Sequence, residues 1–151
     1  EDAMLIAHLS QGNVRMARSL ADSNLGEITS TLQSMLSWVV SETESGWRRF
    51  LTHGAVTYRS RPAELAFQFQ LLSYWFRDAL HAQKFNGGSR FILSMMKDEI
   101  HKFNASYPLA DYPRIITAVE TCTDSLSRNF QLNLVLMDLL MEVRDGLNST
   151  R

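Results

Sequence analysis

The chain has 151 residues, enough for one full hydrophobic core, and its content of 45% apolar and 21% charged residues is that of an ordinary globular protein. Lysine plus arginine total 15 and aspartate plus glutamate total 16. That balance argues against holding nucleic acid by backbone neutralisation alone and leaves room for a local basic patch. One cysteine excludes an intrachain disulfide, and no run of about 18 apolar residues exists to span a membrane.

With no visible signal peptide, these features predict a cytoplasmic protein. The chain opens on Glu1, not Met, inside what reads as a helix, so it is expected to be a piece of a longer protein. Only three prolines and seven glycines occur, and alternating strand patterns are absent. The prediction is all-α: a helical bundle of about five longer helices preceded by two short ones.

The first short helix is predicted over Asp2–Ser10, ended by Gly12 in a left-handed conformation, with Asn13 capping a second from Val14 to about Asp22. A change near residue 25 from short to longer helices marks a domain boundary, dividing residues 1–24 from 25–151. The third helix is expected over Glu27–Ser41. Ser45-Gly46 is expected to break the chain before a fourth over Trp47–Tyr58. Pro62 suits a first turn, and Pro62–Lys84 is apolar around much of its circumference, through Leu65, Phe69, Leu72, Phe76 and Leu80 and then Phe67, Leu71, Tyr74 and Trp75. Such a helix is central. A sixth is predicted over Ser89–Asn104 after the stop at Phe85-Asn86-Gly87-Gly88, and then a loop over Ser106–Pro113.

Pro113–Leu147 reads as one long helix of about nine turns, with ladders Ile115, Val119, Cys122, Leu126 and then Leu132, Leu136, Leu139, Leu140, Val143, Leu147. Asn129 and Asn133 stand four apart within it and so are expected to share a face. Buried, such amides need partners; in helical assemblies they often fix register and partner choice.

Chemistry-bearing patterns are sparse. Asp78-Ala-Leu-His81 and Asp98-Glu-Ile-His101 repeat an acid-x-x-His step that di-metal bundles use with Glu, with Asp138 the one further carboxylate near an apolar stripe; surface pairs are the plainer reading. Gly87-Gly88-Ser89 at a helix start offers N–H groups to an anion, though a helix–helix turn explains it as well. Trp47-Arg48-Arg49-Phe50 mixes aromatic and basic residues in the manner of nucleic-acid binders; the plainer reading is a packed aromatic face with solvated arginines. Met95-Met96 and Met137 to Met141 suit either an adaptable partner surface or a core. A ligand pocket lined by Phe69, Trp75, Phe76 and Met137 is the alternative to a purely structural bundle. No catalytic residue, metal or cofactor is expected from these patterns.

Leu126-Ser-Arg-Asn129-Phe-Gln-Leu-Asn133-Leu-Val-Leu-Met-Asp-Leu-Leu140 resembles the final helix of the delta-prime subunit family of bacterial DNA polymerase III clamp loaders. Leu72-Ser-Tyr-Trp-Phe-Arg77-Asp78-Ala-Leu80 resembles that family's central collar helix, and Leu9-Ser-Gln-Gly12-Asn13-Val14-Arg15-Met-Ala17 its AAA+ lid helix. The resemblance spans almost the whole chain, in the family's order. It implies that residues 1–24 are the tail of an AAA+ lid and 25–151 a collar domain that packs in a subunit ring with gamma/tau and delta. By the same resemblance the parent protein would be part of DNA polymerase III, a DNA-directed DNA polymerase, and would reach DNA only through the assembled complex. It further implies a subunit interface at Arg77, Asn129, Asn133, Leu136 and Leu140, and a sensor-2-like nucleotide contact at Arg15. A stator subunit of this kind hydrolyses no ATP; the related gamma/tau subunit, which does, stays open on these residues. Without its partners, the isolated chain is expected to self-associate weakly through exposed apolar surface.

Overall fold

The computed structural model describes residues 2–10, 12, 14, 17, 18, 21, 25–85, 90–128 and 131–149. The described residues form an all-α bundle, as the apolar spacing predicts. In chain order the helices are α1 (Asp2–Ser10), α2 (Leu25–Val39), α3 (Glu44–Ser60), α4 (Pro62–Lys84), a single 3-10 turn at Ser94–Met96, α5 (Lys97–Ser106), α6 (Tyr112–Leu126) and α7 (Leu132–Leu147). Gly12 has φ of +82°, the left-handed conformation expected after α1. Of the second predicted helix, Val14, Ala17, Arg18 and Ala21 are helical, and its remaining residues, Arg15 among them, lie outside the described residues.

The bundle is built around α4, which has the predicted limits. It packs against α2, α3, α5 and α6. Twelve of its residues are buried, including Leu65, Phe69, Leu71, Leu72, Trp75 and Phe76. Each such side chain contributes about 1.5–3 kcal/mol on leaving water, so this one helix supplies a large part of the core. α1 joins the same core through Leu5 and Leu9, and the carbonyl of His8 accepts from Tyr74 Oη at 2.8 Å.

Three predicted boundaries are corrected. Ser45-Gly46 does not break the chain but forms the first turn of α3. Thr43 caps that helix by accepting from the Gly46 N–H at 3.1 Å, and the absent side chain of Gly46 leaves room for Ser41. The predicted helix at Ser89–Asn104 is also wrong in its first half. Asp78, buried on α4, accepts from the N–H groups of Ile92 (2.9 Å) and Leu93 (2.8 Å), which holds these residues in a turn that leads into the 3-10 turn at Ser94–Met96, and α5 begins only at Lys97. The third correction is the largest. The long helix from Pro113 is two helices, with Ser127, Arg128 and Gln131 outside any helix. The Ser127 hydroxyl donates to the Asp124 carbonyl at 2.7 Å. The Ser127 and Arg128 N–H groups turn back on Asp124 and Ser125, so local polar bonds compete with continuation of the helix.

The two arms then fold on each other as a hairpin. Asp111 caps α6 by accepting from the Arg114 N–H at 3.2 Å, and its own N–H donates to the Gly146 carbonyl at 2.8 Å. At Gly146 the helices approach so closely that a Cβ would lie 2.6 Å from Ile115 Cγ1. Tyr112, Asn104 and Ala79 join α6, α5 and α4: Tyr112 Oη donates to Asn104 Oδ1, and Asn104 Nδ2 donates to the Ala79 carbonyl at 3.0 Å.

Gly146→Ala is therefore expected to lower stability by about 1–3 kcal/mol despite the better helix propensity of alanine, because β-branched Ile115 cannot swing clear; urea unfolding of the two proteins measures it. Burial holds the Asp78 carboxyl above its ordinary value, outweighing the two N–H bonds that favour its charged form. The folded state then binds the proton more tightly than the unfolded chain does. This group's contribution to stability is full below its ordinary carboxylate value and is lost as pH rises through its raised value. Urea midpoints across that window should carry this component in the wild type and lack it in Asp78→Asn.

Candidate functional site

Among the described residues, those implied as a subunit interface, Arg77, Asn133, Leu136 and Leu140, do not form a single surface. Asn129 and Arg15 lie outside the described residues. Because α6 ends at Leu126 and α7 begins at Leu132, Asn129 and Asn133 do not belong to one continuous helix, which removes the argument that they share a face. Asn133 is exposed in the first turn of α7, where it lines a groove with Ala55, Tyr58, Arg59, Gln131 and Leu132. Leu136 and Leu140 are fully buried in the chain's own core and so are not available to a partner in this fold. Leu136 sits against α3 where Gly54 leaves space: a Cβ there would lie 2.6 Å from Leu136 Cδ1. Arg77 is exposed on α4 and pairs with Glu120 of α6 across the surface.

The exposed side of α7 carries different residues. Leu134 is 66% exposed and Met141 44%, with Met137 half-buried and Asp138 exposed between them. Positions 134, 137, 138 and 141 recur on one face of a helix, opposite the buried Leu136, Leu139, Leu140, Val143 and Leu147. The outer face thus mixes apolar Leu134, Met137 and Met141 with acidic Asp138 and, one turn beyond Met141, Asp145. The sequence held this signal, because Leu134 and Met141 are seven apart and fall off the main leucine ladder. The ladder was the stronger pattern, and it marks the core.

The metal and pocket readings lose their residues to structure. The Asp78 carboxylate is engaged by the Ile92 and Leu93 backbone. His81 is exposed, tilted against the Phe85 ring at 4.9 Å between centroids; His101 is exposed and edge-on to Phe91 at 5.5 Å. Among the described residues no three His, Cys, Asp or Glu side chains are grouped so as to hold a metal ion. Phe69 and Phe76 are fully buried, Phe69 against Phe50 and Phe76 against Phe103 and Tyr112. Phe69 borders a groove beside Arg77 and Glu120 and Trp75 borders a different one beside Leu36 and Met96, so the two do not share one pocket. Gly87-Gly88-Ser89 lies outside the described residues, and the next helical residue after them is Ser94. No helix among the described residues is long and apolar enough to cross a membrane.

The Trp47-Arg48-Arg49-Phe50 run divides. Phe50 is core, and Trp47 packs inward with Nε1 donating to the Ser41 carbonyl at 2.7 Å and Arg144 over its ring. Arg48 and Arg49 face the other way, into a groove whose aromatic wall is Trp38 from α2 and His53 from α3. The rings beside the arginines are therefore not their sequence neighbours.

Cys122 is buried in α6, and burial pushes its thiol up to about 12. Almost no thiolate exists at neutral pH. An aromatic disulfide reagent should leave Cys122 untouched in the native protein and react fully once guanidine has unfolded it; fast native labelling would contradict this packing.

Compared with known proteins, the chain is matched by no family model, by no curated protein and by no solved structure.

Proposed function

We propose that this chain is a scaffold and oligomerisation domain of a bacterial DNA polymerase III clamp-loader subunit of the delta-prime type. It works in the cytoplasm, packing beside gamma/tau and delta in the ring that places a sliding clamp on primed DNA. Residues 1–24 are the tail of an AAA+ lid and residues 25–151 the collar. The sequence resemblance motivates the reading, and one structural observation supports it: the last helix, α7, buries five apolar side chains and still exposes Leu134 and Met141 on its outer face, with Asp138 between them. A helix that already covers a core and still exposes large apolar side chains suits a domain with neighbours. The near-neutral charge of the chain also suits a scaffold that meets protein.

The interface residues are accordingly Asn133, Leu134 and Met141, with Arg77 at the α4–α6 surface. Leu136 and Leu140 act from the core, by holding α7 in place. Substituting them would unfold the helix and could not report on assembly.

The experiment is reconstitution of the ring from the full subunit and its partners, followed by size-exclusion chromatography. Leu134→Asp with Met141→Asp should weaken ring assembly at least tenfold while the chain's own melting temperature moves by only a few degrees. Equal assembly by wild type and variant would rule out this face as the interface.

A further inference from the structure

Between Ser45 and Ala63 the chain carries four arginines, Arg48, Arg49, Arg59 and Arg61, and no aspartate or glutamate, although acids outnumber bases over the whole chain. This stretch is almost all α3. Arg49 and Arg59 are exposed and make no ion pair among the described residues. Arg48 pairs only with exposed Glu44, a surface contact worth little. Arg48 and Arg49 line the groove between α2 and α3 with Trp38, Thr52, His53 and exposed Val56. There the Trp38 and His53 rings lie 5.2 Å apart, tilted by 51°. The His53 ring is fixed from below by a 2.7 Å hydrogen bond to the buried Gln68 side chain. Arg59, eleven residues beyond Arg48 and so on nearly the same side of α3, lines a second groove about 15 Å further along its axis.

We propose that this face of α3 binds single-stranded nucleic acid, with bases against Trp38 and His53 and phosphates on Arg48, Arg49 and Arg59. Arginines alone would serve an acidic peptide equally well. The fixed aromatic pair inside the same groove is what an acidic peptide has no use for and an unpaired base does: stacking on rings combined with a cationic track is how single strands are held without sequence preference. The inference is independent of the ring reading, since it concerns direct binding by the chain alone.

The test is fluorescence anisotropy of a labelled oligothymidylate titrated with the full chain over a series of salt concentrations. Binding should weaken linearly in log–log form, and Arg49→Ala and Arg59→Ala should each reduce the slope by about 0.7. Trp38→Ala should weaken binding roughly fivefold or more with the slope unchanged, and Trp38→Phe should restore part of it, which separates stacking from folding. Absence of binding at low salt overturns the proposal. So does displacement by polyglutamate with the same dependence on Arg49 and Arg59, which would assign the face to an acidic protein. Binding of duplex as tight as single strand, indifferent to Trp38, overturns it too.

Discussion

The constraint on which this structure rests is that α4 is apolar nearly all the way round. A helix of 23 residues with twelve buried cannot be satisfied by one partner surface. It has to be covered from several sides, and α2, α3, α5 and α6 do so. Even its buried acidic residue obeys this rule. Asp78 is placed where water is excluded, and the chain that covers it must supply N–H groups in return. The turn before α5 is thus shaped by a side chain of α4, and not by the propensities of residues 90–93.

This explains what could be read from the sequence and what could not. The limits of α4 were legible because its proline start, apolar girth and polar stop are all local. The hairpin of α6 and α7 was not, because both arms bury leucines in one core and so keep helical spacing on either side of the turn. The clue was the six-residue gap from Leu126 to Leu132, which in a continuous helix would carry the stripe about 240° round the cylinder. The serines and Asp124 beside that gap supply the competing hydrogen bonds. For the same reason the leucine ladder of α7 marks core residues, Leu136 and Leu140 among them, and the exposed Leu134 and Met141 lie off it.

The surface divides into regions of different chemistry. The outer side of α7 sets Leu134, Met137 and Met141 around Asp138, and its methionines can adapt to a partner's shape. The outer side of α3 is cationic and lined by rings held from two helices. The plainer reading of Trp47-Arg48-Arg49-Phe50 holds, with the two aromatics packed inward and the arginines solvated, while Trp38 and His53 arrive beside the arginines from elsewhere. The two surfaces meet near Arg59 and Asn133, which share a groove.

The bond from the Asp111 N–H to the Gly146 carbonyl closes the α6–α7 hairpin at its open end, where the first residue before α6 meets the last turn of α7. The closed end of the hairpin is therefore relieved of any duty to hold the arms together. A connection in that position is tolerant of length: by loop-closure entropy, doubling it costs only about 0.6 kcal/mol. Related chains would then be free to lengthen or shorten the segment between Leu126 and Leu132, and to vary what it touches, while the helices on either side stay in register.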